Sequence, residues 1–315
     1  METRTLDFQP LTLADVEFAA NALSRVQPRR PTVPARLLLI WQSMDRVHAV
    51  QRFAVHEGER RIGWTSVLRF GGALEEQAMI SVVLPEASVR AYEATLAFGL
   101  RKARQMNAKA ILCEPWESET ALVEALRQGH WEQKRRQRFW RLELQPNADW
   151  LRRQRAAARE RVATAGVRLA TAADLGGEAI YPELYEINAA AHWDIPTTVP
   201  FEPDPYEVWL GWMAQPAVLP ERVWVATVGG EPVGLSFLTY RPGLVDTGFT
   251  GVIREHRNLG IARALKLETL CQALDLGVDA VETDNDSENA PILHLNEQIG
   301  YREVEGQLQF LRPLD

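Results

Sequence analysis

The sequence predicts an α/β protein made of two similar halves, each a mixed, mostly antiparallel sheet flanked by helices. Two pairs of segments carry this reading. "EGERRIGWTSVLRF" (57–70) and "VGGEPVGLSFLTYR" (228–241) each place a Gly-Glu turn before a β-branched residue, a glycine and an alternating apolar run, the signature of a hairpin. "ETALVEALRQGHWE" (119–132) and "APILHLNEQIGYRE" (290–303) each suit a short amphipathic helix closed by a glycine, Gly129 and Gly300, with an aromatic residue soon after. The offset from Gly63 to Gly234 equals that from Gly129 to Gly300. A constant offset over such separations is what a duplication leaves behind.

The elements follow in order. The first half holds the hairpin at 57–70, a strand-to-helix segment "VLPEASVRAYEATLAF" (83–98) and the helix at 119–128. Its sheet and helices are assigned to residues 1–146. "PNADWLRRQRAAARERVATAG" (146–166) predicts a connecting helix over 147–166, rich in alanine and arginine and capped by Asp149. Its arginines suit an anion surface or, with the surrounding glutamates, a solvated face; the low pI favours the solvated face. In the second half, 167–315, strands are expected at 167–170, 222–228, 232–240, 245–253, 278–284 and 307–313. Helices are expected at 177–193, at the Trp-rich 205–214, after Gly260, and at 290–299.

Composition narrows the function. The chain has 315 residues, enough for two domains, with 46% hydrophobic and 24% charged residues, values ordinary for a soluble globular protein. A net charge of −7 and a pI near 5.5 do not favour nucleic acid as a partner. Cys113 and Cys271 lie far apart, with no metal or disulfide spacing. The start, "METRTLDFQP", has no apolar signal core, and no run of about 18 apolar residues occurs, so neither export nor a membrane is indicated. A cytoplasmic setting is expected.

Residues 252–274, "VIREHRNLGIARALKLETLCQAL", carry the chemistry. An apolar strand runs through Arg257-Asn258-Leu259-Gly260-Ile261-Ala262 into a helix. The first N–H groups of a helix lack partners and the dipole is positive there, so a diphosphate can rest on them. Gly260 and Ala262 keep side chains out of its way, and Arg257 adds charge-assisted hydrogen bonds. This R-x-x-G-x-A spacing resembles the acyl-CoA pyrophosphate loop of the GNAT acyltransferase superfamily. Downstream, "NAPILHLNEQIGY" (289–301) resembles the family's second signature, with Asn289, Leu295, Gly300 and Tyr301 in register. The resemblance is to tandem GNAT proteins, the group that includes mycothiol synthase. It covers 167–315, the first half being a structural echo only. The counterpart segment there has no glycine between Gly72 and Gly99, which points to a half that has lost acyl-CoA binding and serves as scaffold or substrate wall.

The resemblance implies an N-acetyltransferase that uses acetyl-CoA as donor and needs no metal. A small-molecule amine would attack the thioester directly in a ternary complex. It implies that the Val252 N–H stabilises the oxyanion, that Ile253 and Arg254 run along the pantetheine arm, and that residues 257–262 hold the diphosphate. Asn289 would hold the arm or the local backbone. Where the family has a tyrosine that protonates the departing thiolate, this chain has Asn296, and an amide hydrogen-bonds but does not act as an acid. The base is left open among Asp246, His192, Asp194, Glu202 and a relaying water; His256 suits loop packing or a phosphate contact. Trp193, Trp209 and Trp212 suit an acceptor pocket or, at helical spacing, the core. The acidic 283–289 stretch lacks the spacing of a calcium loop. Two other classes stay in view: a non-catalytic CoA-binding or sensing protein, and an enzyme acetylating protein N-termini or lysines. The chain is expected to be a monomer or a homodimer.

Overall fold

The computed structural model describes residues 6–71, 74–195, 203–241 and 243–314. In chain order the elements are β1 (Leu6–Pro10), α1 (Val16–Val26), α2 (Pro34–Val47), β2 (Ala49–Glu57), β3 (Arg60–Arg69), β4 (Gln77–Val83), α3 (Val89–Gln105), β5 (Ala110–Cys113), α4 (Thr120–Gln128) and β6 (Glu132–Glu143). There follow α5 (Ala148–Thr164), β7 (Val167–Thr171), α6 (Tyr181–His192), α7 (Tyr206–Met213), β8 (Val223–Val228), β9 (Glu231–Arg241), β10 (Leu244–Val252), α8 (Ile261–Asp275), β11 (Ala280–Asp286), α9 (Ala290–Ile299) and β12 (Arg302–Pro313). The chain forms two compact units, Met1–Arg136 with Gly306–Asp315, and Gln137–Glu305.

The compact units cut the chain differently from the boundaries expected at 146 and 167. In the first unit the strands run β1-β2-β3-β4-β5-β12, antiparallel except for the β4–β5 pair. The closing strand is borrowed from the far end of the sequence: Phe310–Pro313 pairs with Cys113–Ala110, and Leu308, Phe310 and Leu314 enter the core around Ile80, Leu96 and Leu126. A second core joins α1 and α2 to this sheet, with Trp41 edge-on to Trp64. The second unit runs β6-β11-β10-β9-β8-β7. Its closing strand is the end of β6, which pairs antiparallel with β11 from Gln137↔Asp286 to Glu143↔Ala280.

Within the second unit α8 is buried nearly all round, its Lys266 and Glu268 included, as expected for a helix with no polar face. The helix expected to be a linker is packed structure: Leu151, Ala158 and Val162 of α5 lie in the same core as α8. It begins at Ala148, with Asn147 at the N-cap position and the Asn147 side-chain amide donating to Glu143 O at 2.7 Å. Asp149 is therefore inside the first turn, where its charge suits the dipole, and is not the cap. The strand expected at 278–284 starts at Ala280 because Val278 N–H is spent on Ala273 O and Gly277 N–H on Leu274 O, closing α8. The matched glycines also differ. Gly300 is left-handed (φ 95°) at the end of α9, but Gly129 is not (φ −77°); in α4 the left-handed residue is His130 (φ 56°).

Candidate active site

β10 and β11 run parallel but share one register pair, Asp246↔Glu282. Toward Val252 the strands have parted. Ile253 N donates to Val233 O at 3.0 Å, so Ile253 and Val233 form a hydrogen-bonded pair of the β9–β10 ladder. The adjacent pair, Val252↔Gly234, is then of the other kind, with N–H and C=O turned away from β9. Val252 thus aims its N–H at the opening on the β11 side. Its carbonyl, facing the same way, accepts from Arg257 Nε at 2.9 Å.

The chain turns from this opening into α8 through two left-handed residues, Asn258 (φ 66°) and Gly260 (φ 87°). Gly260 is the N-cap, and no side chain caps the helix. The first amides of α8 thus have no side-chain cap among the described residues. The corresponding place in the first unit differs in each respect. β4 and β5 keep four register pairs. The turn before α3 has Glu86 left-handed (φ 61°), and the Ser88 hydroxyl accepts from Ala91 N, capping the helix with its own side chain.

Several expected site residues are engaged with one another. Arg254 and Arg257 both bond the Asp194 carboxylate, Arg257 Nη2 at 2.6 Å, and the two guanidinium groups hold its pKa down at about 2. Asp194 is thereby an anchor between the end of α6 and the loop, and a poor base. Asp246 is engaged elsewhere and badly placed for the role. Thr239 Oγ1 donates to one of its oxygens at 2.7 Å, Arg241 bonds the other, and six residue steps along β10, roughly 20 Å, separate it from Val252. His192 is better placed. A Cβ on Gly251 would stand 3.0 Å from Ala191 Cβ, so the end of α6 lies against the residue before Val252. Burial lowers the His192 pKa, against a smaller upward pull from Asp204, which favours the neutral imidazole. Glu202 lies outside the described residues.

Asn296 is completely buried, and its Nδ2 donates to Asn285 Oδ1 at 2.5 Å. Its Oδ1 has no partner among the described residues. Asn289 is the N-cap of α9 without a side-chain bond to the helix. Ile253 packs into the core, Ala262 packs against the core, and Leu259 is 37% exposed. Trp209 is a core residue, edge-on to Tyr181 and Tyr185 and stacked on Tyr206, whereas Trp193 and Trp212 are exposed. Sequence reasoning set the arginines of α5 on a solvated face; the side chain of one of them, Arg161, borders Gly260. Its only signal was its place in an arginine-rich helix.

Residues 185–301 match the family model described as the acetyltransferase (GNAT) family. The second unit carries a GNAT acetyltransferase domain. No curated protein matches the chain. Among solved structures, a GCN5-related N-acetyltransferase from Sphaerobacter thermophilus aligns with a TM-score of 0.74 at 17% identity, over 100% of this chain and 97% of its own. A tandem GNAT protein from the clavulanic acid biosynthesis pathway aligns with a TM-score of 0.69 at 18% identity, over 99% of each chain. A GNAT-family acetyltransferase from Colwellia psychrerythraea gives 0.60 at 12% identity, over 98% of this chain and 99% of its own. The fold of the whole chain is thus that of GNAT proteins, and the expected α/β class holds. No helix among the described residues is long and apolar enough to cross a membrane.

Proposed function

We propose that the second unit transfers an acetyl group from acetyl-CoA to the amine of a small molecule, in a cytoplasmic setting. The observation that carries this is the parting of β10 from β11 beside an outward Val252 N–H, directly before an uncapped helix start. The residues fit the donor. The free amides at the start of α8 accept a diphosphate, and the opening between the strands takes an extended arm. The buried, unpartnered Asn296 Oδ1 offers an acceptor at the position where the family has tyrosine. The amine nitrogen bonds the thioester carbon, the C–S bond breaks, and the proton released from nitrogen goes to a base. Val252 N–H donates to the thioester oxygen as negative charge builds there. His192 takes the proton, directly or through water. Asn296 supplies no proton, and a thiolate, with a pKa near 8.5, leaves without one.

In the first unit the corresponding strand pair, β4 and β5, keeps four register pairs and the corresponding helix, α3, is capped by Ser88, so one donor site per chain is expected. Calorimetry with CoA should give a single site that Gly260→Glu removes. An acyl-CoA by amine screen with thiol detection tests turnover. CoA binding without thiol release on any amine would leave the non-catalytic reading standing, and two equivalent CoA sites per chain would overturn the assignment to the second unit.

A further inference from the structure

α5 meets α8 through paired charges. Arg152 donates to Asp275 at 3.0 Å, and the Arg159 guanidinium grips the buried Glu268 carboxylate through two bonds, one of them 2.9 Å. Toward the start of α8 the pattern breaks. The Arg161 guanidinium has no partner among the described residues. It lies over the left-handed glycine: a Cβ on Gly260 would stand 3.3 Å from Arg161 Nε, 3.5 Å from its Cδ and 3.8 Å from its Cζ. The other cation there, Arg263 in the first turn of α8, is held by neutral acceptors, Gln154 Oε1 at 2.8 Å and Gln298 Oε1 at 3.5 Å. Burial, with the Arg161 charge adding to it, lowers the Arg263 pKa. Two guanidinium groups thus stand at the positive end of a helix dipole with no carboxylate among the described residues bonded to either, an arrangement that an anion relieves.

We propose that Arg161 is a ligand of the donor's diphosphate, so that α5 supplies one wall of the donor site. This rests on the donor reading above. The amides of α8 hold the diphosphate from one side, and Arg161 Nε and its terminal nitrogens bond it from the other. Glycine at 260 then has two tasks: it takes the left-handed backbone, and it leaves room for the guanidinium to reach the oxygens.

The test is calorimetry on the full chain with CoA and with dephospho-CoA, for wild type, Arg161→Gln, Arg161→Lys and Gly260→Glu. Losing one charge-assisted pair should weaken binding roughly 10- to 100-fold in Arg161→Gln, equally for both ligands, with part of the affinity restored in Arg161→Lys. The melting temperature of ligand-free Arg161→Gln should not fall, because an exposed charge facing another cation is removed, while its CoA-induced rise should shrink. Unchanged CoA affinity in Arg161→Gln, with Gly260→Glu abolishing binding, overturns the role of Arg161 and leaves the donor site intact. A loss seen with CoA but not with dephospho-CoA moves Arg161 to the 3′-phosphate and overturns the diphosphate assignment. A wild-type chain that binds neither ligand removes the donor reading itself.

Discussion

Two residues apart at the end of α6, His192 and Asp194 are driven in opposite directions. Burial disfavours the imidazolium of His192, and two guanidinium groups favour the carboxylate of Asp194. One is left able to take a proton near neutral pH; the other is locked as an anion. If His192 is the base, activity must rise with pH as the imidazolium loses its proton, with an inflection below the ordinary 6.5. His192→Gln should cost about 10²- to 10⁴-fold in kcat and flatten that acid limb. A limb that survives the substitution assigns the proton to another group. From sequence alone these two residues, Asp246 and Glu202 were equal candidates. Carboxylates and imidazoles near a site look alike until their partners are known, and the arginines that engage Asp194 lie 60 and 63 residues away, the one that engages Asp246 only 5.

At the scale of elements, α8 carries the start of the proposed site and also a buried cation. Lys266 is 2% exposed, its Nζ stands 5.3 Å from the centre of the Tyr301 ring, and burial brings its pKa down to about 8 against a smaller upward pull from Asp284. The unfolded chain holds this proton up to about 10.5. Between pH 8 and 10.5 the unfolded state therefore binds more protons, and stability rises with pH. Below pH 8 the full cost of the buried charge is present. Lys266→Met should raise stability at pH 7 by roughly 1–4 kcal/mol and abolish the rise above pH 8 in chemical denaturation; a variant no more stable than wild type would mean that the ammonium has a partner in solution. The elements themselves were largely legible. The hairpins, α6, α7 and α9 fall where alternation, helical period and turn glycines put them. The errors sit at helix ends, where bonds such as Val278 N–H to Ala273 O decide the boundary and leave no mark on composition. The role of α5 was also hidden, because an arginine salt-bridged to a buried glutamate and an arginine in water have the same sequence signature.

At the scale of the molecule, the duplication could be read from the constant offset, but the exchange of closing strands could not. Each half contains a segment able to be its own last strand, and pairing partners are chosen by three-dimensional packing. The exchange gives a specific expectation. Phe310 lies late in the sequence and is 1% exposed in the core of the first unit. Phe310→Ala should cost about 3–5 kcal/mol, read by hydrogen exchange as lost protection in β4, β5 and α3, while β8, β9 and α8 keep theirs. Loss of protection confined to the second unit would contradict the division of the chain described above.

The same strand governs how the chain is made. Domains generally fold as units, the N-terminal one first, while synthesis proceeds. Here the first unit cannot finish on that schedule. β5 has no partner on its open side until residues 310–313 have been translated, after the whole of the second unit. Until then a nascent chain presents an unpaired strand edge beside the exposed faces of Ile80 and Ile111, the kind of surface that recruits other strands. The second unit has no such wait, because β6 precedes everything it closes. The later-made unit is therefore the one that can close first, and a chain ending between residues 305 and 309 would hold the second unit complete and the first still open.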